Sequence, residues 1–162
     1  MKELILIRHA KSSWNNVDLP DIERPLNKRG KSDAPVMAQE LLDNGGGGFD
    51  LLISSSAKRA YDTAKAFSKT IGYPKKKIEI IPSIYHSSPE ELLELVQQID
   101  KKHSRVALIG HNPSISWLLS KLCDTKVETM PTCAVAVLKF KTDSWKKAKQ
   151  GVLAFYQTPK ST

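Results

Sequence analysis

The sequence predicts an α/β/α sandwich of three layers, built on a mostly parallel six-stranded sheet with one antiparallel strand. Three observations predict it. Short unbroken apolar runs, such as Leu4-Ile5-Leu6-Ile7 and Leu51-Leu52-Ile53, read as strands covered on both faces. Each of the first four such runs is followed by a helical pattern, and strand–helix alternation implies parallel strands with right-handed crossovers. The last two runs, 134–140 and 151–156, have no helix between them, so one strand of that pair runs antiparallel.

Taken in order, the first strand ends on Arg8-His9, and residues 10–27, with Pro20 and Pro25, form a loop long enough to suggest function. A helix is predicted from Lys28 to Asp43, with Val36, Met37, Leu41 and Leu42 on its apolar side and a break in its first turn at Pro35. Asn44 and Gly45-Gly46-Gly47-Gly48 stop it in a flexible surface turn; no helix with Lys-Ser/Thr follows, so the glycines cradle no phosphate. The second strand, 50–53, ends at Ser54-Ser55-Ser56, which can cap a helix over 58–71 that Gly72 and Pro74 terminate. A third strand over 78–81 leads into a loop holding Tyr85 and His86. Ser88-Pro89-Glu90-Glu91 carries three helix-start signals, and that helix is predicted to run to Lys102. The fourth strand, 105–109, meets Gly110-His111-Asn112-Pro113, and a helix over 114–122 precedes the final pair of strands.

A chain of 162 residues suits one domain, taken as 1–162, with a sizeable core. No apolar run is long enough to span a bilayer, and the start of the chain lacks the pattern of a signal peptide. Cys123 and Cys133 form neither a disulfide framework nor a metal knuckle, and are expected as reduced, buried thiols of a cytoplasmic protein. The net charge of +8 comes from lysine clusters at 75–77, 101–102 and 146–149. Singly these are solvated surface; together they make a field that draws phosphorylated or acidic partners. Nucleic acid is not the expected partner, because the clusters are scattered and no aromatic residues interleave with them.

Parallel strands put their carboxyl ends on one edge, where α/β proteins bind ligands. Arg8-His9, the segment from Ser54 to Arg59, Tyr85-His86 and His111 all fall at such ends. Imidazole can attack phosphorus, and guanidinium matches the geometry of phosphate oxygens. Arg59 stands in the first turn of a helix, where a cation is unfavourable without an anion to hold. His86 reads equally as a turn histidine or a site residue. Glu90 and Glu91 are accounted for by the helix start. No metal site is predicted, since metal-ligand spacings are missing and arginines near His9 repel cations.

These residues resemble the histidine phosphatase superfamily, the phosphoglycerate mutase-like enzymes. Leu6-Ile7-Arg8-His9-Ala10 resembles the family's Arg-His-Gly signature, the run from Ser54 to Ala64 its second motif, and Gly110-His111-Asn112-Pro113 its second-histidine motif. The run from Asp21 to Leu26 followed by Gly30 is similar to the phosphohistidine phosphatase branch of SixA type. The likeness departs at Ala10, where the family has glycine, and in the absence of a clear acid after the third strand. The resemblance implies a phosphoglycerate mutase-like fold without cofactor or metal. It implies His9 as nucleophile, with Arg8, Arg59 and His111 holding phosphoryl oxygens. Asp21, Arg24, Ser55 and His86 are carried along as substrate- or phosphate-binding, Arg24 closing the loop over the phosphate or over the protein substrate. The attacking imidazole must be neutral, with its other nitrogen held by an acceptor such as a backbone carbonyl. The implied activity is removal of phosphate from phosphohistidine on a protein. The alternatives are a phosphatase of small phosphate esters and a non-catalytic basic binding module.

Overall fold

The computed structural model describes residues 1–159. The chain forms β1 (Lys2–Arg8), α1 (Lys28–Asn44), β2 (Leu51–Ser54), α2 (Lys58–Ile71), β3 (Glu79–Ile80), α3 (Pro89–Gln97), β4 (Arg105–Gly110), α4 (Ser114–Leu122), β5 (Val135–Phe140) and β6 (Val152–Gln157). One six-stranded sheet runs in the order β3-β2-β4-β1-β5-β6. β1 to β4 are parallel, and β5 runs against both of its neighbours. The predicted fold class is therefore the observed one.

β1 shows why an apolar run becomes a central strand. Leu4 to Ile7 are fully buried. Successive side chains of a strand point to opposite faces. Leu4 and Leu6 accordingly join the core beneath α3 and α4, while Ile5 and Ile7 join the core beneath α1 and α2. Each such side chain contributes about 1.5–3 kcal/mol on leaving water.

Local chemistry explains most helix ends. Asn27 caps α1 by accepting from the Gly30 N–H at 2.8 Å. A Cβ on Gly30 would meet the Lys11 carbonyl at 2.2 Å, so this glycine lets α1 start hard against the loop after β1. Gly72, at φ 87°, ends α2 in the left-handed conformation. Ser88 and Glu91 form a reciprocal capping box at α3.

The structure corrects several expectations. Pro35 lies inside an unbroken α1 and does not end a turn. It is exposed, so the hydrogen bond lost with its missing N–H falls on the outer side of the helix and not in the core. The buried stripe of α1 is Gly30, Ala34, Met37, Ala38 and Leu41, and Val36, off that stripe, is 59% exposed. None of the three serines caps α2; Ala57 stands at the cap, and the Ser55 hydroxyl accepts its N–H at 3.1 Å. α3 stops at Gln97, short of Lys102, because Asp100 turns the chain by accepting from the Lys102 N–H. β3 shrinks to two residues at the sheet edge.

The glycine run is also more than a flexible turn. Gly45, Gly47 and Gly48 turn their carbonyls onto the Arg105 guanidinium at 2.5, 3.1 and 2.5 Å, and Glu3 accepts from the same group at 2.7 Å. With its side chain only 13% exposed, Arg105 ties the α1–β2 connection to the start of β4. Arg105→Ala leaves those acceptors unpaired and is expected to destabilise the fold by about 2–4 kcal/mol. Urea denaturation measures this, and a loss within a few tenths of a kcal/mol would show that water replaces the guanidinium.

Candidate active site

Four chain segments meet at the carboxyl edge of the sheet. β1 delivers Arg8 and His9, and the His9 N–H continues the ladder to the Gly110 carbonyl at 3.2 Å. β4 delivers His111. β2 delivers Ser55, whose N–H reaches the Ile109 carbonyl at 3.1 Å. Because β5 is antiparallel, its start lies at the same edge, and the Cys133 N–H bonds the carbonyls of both Arg8 and His9 at 3.1 and 3.0 Å. Together with the loop after β1, they enclose a cavity of about 310 Å³ whose walls include Arg8, His9, Trp14, Asp21, Arg59 and His111. A larger groove of about 660 Å³ runs along α4 beside Trp117. It shares Asn112 with this cavity but holds none of the histidines or arginines.

His9 is 7% exposed, and its Nδ1 lies 2.7 Å from the Ala10 carbonyl. A carbonyl only accepts, so Nδ1 carries the proton and Nε2 keeps its lone pair. Burial, then the charges of Arg59 and Arg8, outweigh the Ala10 carbonyl and lower the His9 pKa from 6.5 to about 4. His111, its ring centroid 5.2 Å from that of His9, is lowered to about 3 by burial, then by competition with His9 for a proton and by the charges of Arg59 and Arg8, against the opposing pull of Asp21. Both imidazoles are thus neutral at neutral pH. His111 Nε2 sits 2.7 Å from the Ser55 hydroxyl. Among the described residues its Nδ1 has no hydrogen-bond partner.

Arg8 is oriented by the Met130 carbonyl at 3.0 Å, which Asn112 also engages at 2.9 Å. Arg59 is 9% exposed and has the anion its position called for. Asp21 accepts from it twice, through its backbone carbonyl at 2.8 Å and its carboxylate at 3.0 Å. The Tyr85 hydroxyl donates to the same carboxylate. The bond from Tyr85, then those from Arg59, hold the Asp21 pKa below its ordinary value.

The other sequence candidates lie outside the cavity wall. Ser55 is fully buried behind His111, outside the cavity wall. Arg24 does not line the cavity either: its guanidinium stacks on the Trp14 ring at 3.9 Å, and its Nε is 3.5 Å from Asp21. His86 is exposed and packs against Tyr85 with ring centroids 4.2 Å apart. Glu91 is engaged in the capping box, and neither Glu90 nor Glu91 lines the cavity. Thr63 escaped the sequence reading. Its hydroxyl accepts from the Ala10 N–H at 2.9 Å and donates to the Arg59 carbonyl at 2.8 Å, tying the residue after His9 to the helix that carries Arg59. The only sequence signal for it was its place one helical turn after Arg59. Among the described residues, no cluster of His, Cys, Asp or Glu is arranged to hold a metal ion.

A neutral imidazole among arginines, at the carboxyl edge of a doubly wound sheet, has the chemistry that suits a phosphoryl group. The histidine phosphatase superfamily (branch 1) pattern matches residues 4–84, and the chain belongs to that superfamily as a phosphatase of SixA-type architecture. An uncharacterized chloroplastic protein of Arabidopsis thaliana is 33% identical over 155 residues, covering 91% of this chain and 70% of that one. Phosphoserine phosphatase 1 of Hydrogenobacter thermophilus is 37% identical over 83 residues, half of this chain and 36% of that enzyme. The SixA structure from Agrobacterium tumefaciens superposes with a TM-score of 0.81 at 26% identity, covering 98% of both chains. A mycobacterial glucosyl-3-phosphoglycerate phosphatase shares the fold at a TM-score of 0.70 and 14% identity, over 96% of this chain and 98% of that one.

The two depressed histidines make stability depend on pH. As pH falls below 6.5 the unfolded chain takes up protons that folded His9 and His111 refuse until about 4 and about 3. Their contribution is complete above pH 6.5 and is lost as pH drops through that window. The unfolding free energy of the wild type is therefore expected to fall more steeply there than that of a His9→Asn/His111→Asn double variant. Urea melts across the range measure both slopes, and parallel slopes would refute it.

Proposed function

We propose that this phosphatase hydrolyses phosphohistidine on a protein, by way of a phosphoryl group carried on His9. The observation that carries the reading is the His9 tautomer: a buried, neutral ring with Nδ1 engaged by a backbone carbonyl and Nε2 free to attack. In the first step the Nε2–phosphorus bond forms as the substrate's phosphorus–nitrogen bond breaks, its electron pair staying with the departing ring. In the second, water attacks phosphorus, the bond to His9 breaks and inorganic phosphate leaves. Arg8, Arg59 and the Nδ1 side of His111 stabilise charge on the phosphoryl oxygens. The likeness to the Agrobacterium SixA, described as a putative phosphohistidine phosphatase, supports this substrate. Its partner is then a phosphorylated protein, consistent with a basic chain of net charge +8.

A second reading, hydrolysis of small phosphate esters, is favoured by the likeness to the Hydrogenobacter phosphoserine phosphatase. The leaving group separates the two. An alkoxide needs a positioned acid, whereas imidazole, with a conjugate-acid pKa of about 6.5, leaves far more easily. Neither Glu90 nor Glu91 stands at the cavity to serve as that acid, which supports phosphohistidine. Steady-state kinetics on phosphohistidine and phosphoserine peptides test the choice; efficient phosphoserine turnover would favour the ester reading.

His9→Ala is expected to abolish turnover and the acid-labile, base-stable label that rapid quenching traps on the wild type; an undiminished rate would remove His9 from the chemistry. Arg59→Ala and His111→Ala should each stay folded and lose about 2.7–4 kcal/mol of transition-state stabilisation in kcat. Near-wild-type kcat in either would take that residue out of the site. Activity should survive exhaustive chelation, and restoration by added zinc or magnesium after its loss would contradict that.

A further inference from the structure

Asp21 presents a problem for a phosphate site. Asp21 lines the same cavity as His9, Arg59 and His111, no other acidic residue among the described ones does so, and its charge acts on both imidazoles. A fixed negative charge there repels a phosphate dianion. One explanation is that it only holds Arg59, and half of the carboxylate does so: Oδ2 accepts from Arg59 at 3.0 Å and from the Tyr85 hydroxyl. The other oxygen is not used up. Oδ1 lies 3.5 Å from Arg24 Nε, too far for a good hydrogen bond, and the side chain is 49% exposed.

We infer that Asp21 selects the leaving group: its carboxylate accepts a hydrogen bond from the ring N–H of the departing imidazole, so the site favours heteroaromatic phosphoramidates over phosphate esters. This rests on the phosphohistidine reading above and goes beyond it by assigning the preference to a residue. Phosphohistidine has one ring nitrogen bonded to phosphorus and one free. When the free nitrogen is protonated, the ring beside the phosphoryl group is a cation with an N–H to donate. As the phosphorus–nitrogen bond breaks, its electron pair neutralises the ring, which departs as imidazole and not as an imidazolide anion. The proton stays on the ring throughout. Asp21 stabilises the protonated form by charge and hydrogen bond and neither gives nor takes a proton.

The enzyme uses the same device on its own side. His9 Nδ1–H is held by the Ala10 carbonyl at 2.7 Å. The phosphoryl group thus passes between two imidazoles, each with its remote N–H engaged by a fixed acceptor. An ester offers no such N–H, and an ionised carboxylate has no proton to give an alkoxide. The groups facing Asp21 are Arg24 in its own loop, Arg59 from α2 and Tyr85 from the segment before α3. Arg8, His9, Lys11 and His111 share the cavity wall with it. Cations predominate among them and keep the carboxylate ionised.

The test uses the full chain, wild type and Asp21→Asn, with a phosphohistidine peptide and with p-nitrophenyl phosphate, whose leaving group needs neither acid nor N–H acceptor. The expected result is a fall in kcat/KM for phosphohistidine relative to the aryl phosphate of about tenfold to a hundredfold. The pH at which phosphohistidine turnover begins to decline should also move down by about one unit, with no such movement for the aryl phosphate. Equal losses on both substrates with an unmoved pH limb would overturn the inference, leaving Asp21 as a support for Arg59 alone. A wild type that cleaves the aryl phosphate but not phosphohistidine would instead overturn the reading on which the inference rests, and the inference with it.

Discussion

Hydrogen bonding along both edges of β1 governs everything at the site. The strand pairs with β4 on one side, Arg8 opposite Gly110, and with β5 on the other, Ile7 opposite Val135. Both faces are covered by helices, so the strand can neither slide nor tilt without exposing Leu4 to Ile7. A slip of one residue would exchange the two cores and turn His9 away from the cavity. At the strand end, Cys133, at φ 62°, turns its N–H onto the carbonyls of Arg8 and His9. The nucleophile candidate therefore stands on a backbone fixed from three directions, and its ring is fixed again by the Ala10 carbonyl.

That rigidity permits an electrostatic arrangement that a flexible site could not hold. Neutral imidazoles and charged guanidiniums sit together because burial penalises the imidazolium, while arginine keeps its proton. Asp21 offsets part of the positive charge and is itself held by Tyr85, Arg59 and Arg24. The loop of residues 10–27 is consequently not free to wander. Its two limbs are joined by Ser13 N–H to the Pro25 carbonyl at 2.8 Å and Asn27 N–H to the Lys11 carbonyl at 2.9 Å. Arg24 stacks on Trp14, whose ring belongs to the cavity wall. Of the two loop residues read from sequence as substrate- or phosphate-binding, Asp21 lines the cavity itself, and Arg24 packs on Trp14 of its wall.

Ala10, where the superfamily resemblance leads one to expect glycine, fits without strain. It is fully buried, has no positive φ, and its N–H is bonded to Thr63. The turn after His9 is set by these bonds and does not depend on a glycine's freedom. The same economy holds at Arg105, where carbonyls from the glycine run replace a carboxylate as the main acceptors for a guanidinium.

The sequence alone determined what local pattern can encode. Unbroken apolar runs marked the buried strands, their alternation with helices marked parallel pairing, and the missing helix before β6 marked the antiparallel strand. The capping box at Ser88 and the stop at Gly72 were equally legible, since each rests on bonds within a few residues. The convergence of Arg8, His9, Arg59 and His111 was readable because parallel strands must end on one edge. Only the tertiary structure decided the rest. That Asp21 holds Arg59 across 38 residues, that Ser55 lies behind His111 and outside the cavity, and that Thr63 bridges Ala10 to α2 depend on distances between segments remote in sequence. Side-chain type restricts which bonds a residue can make, but packing chooses among them, and packing is set by the whole chain at once.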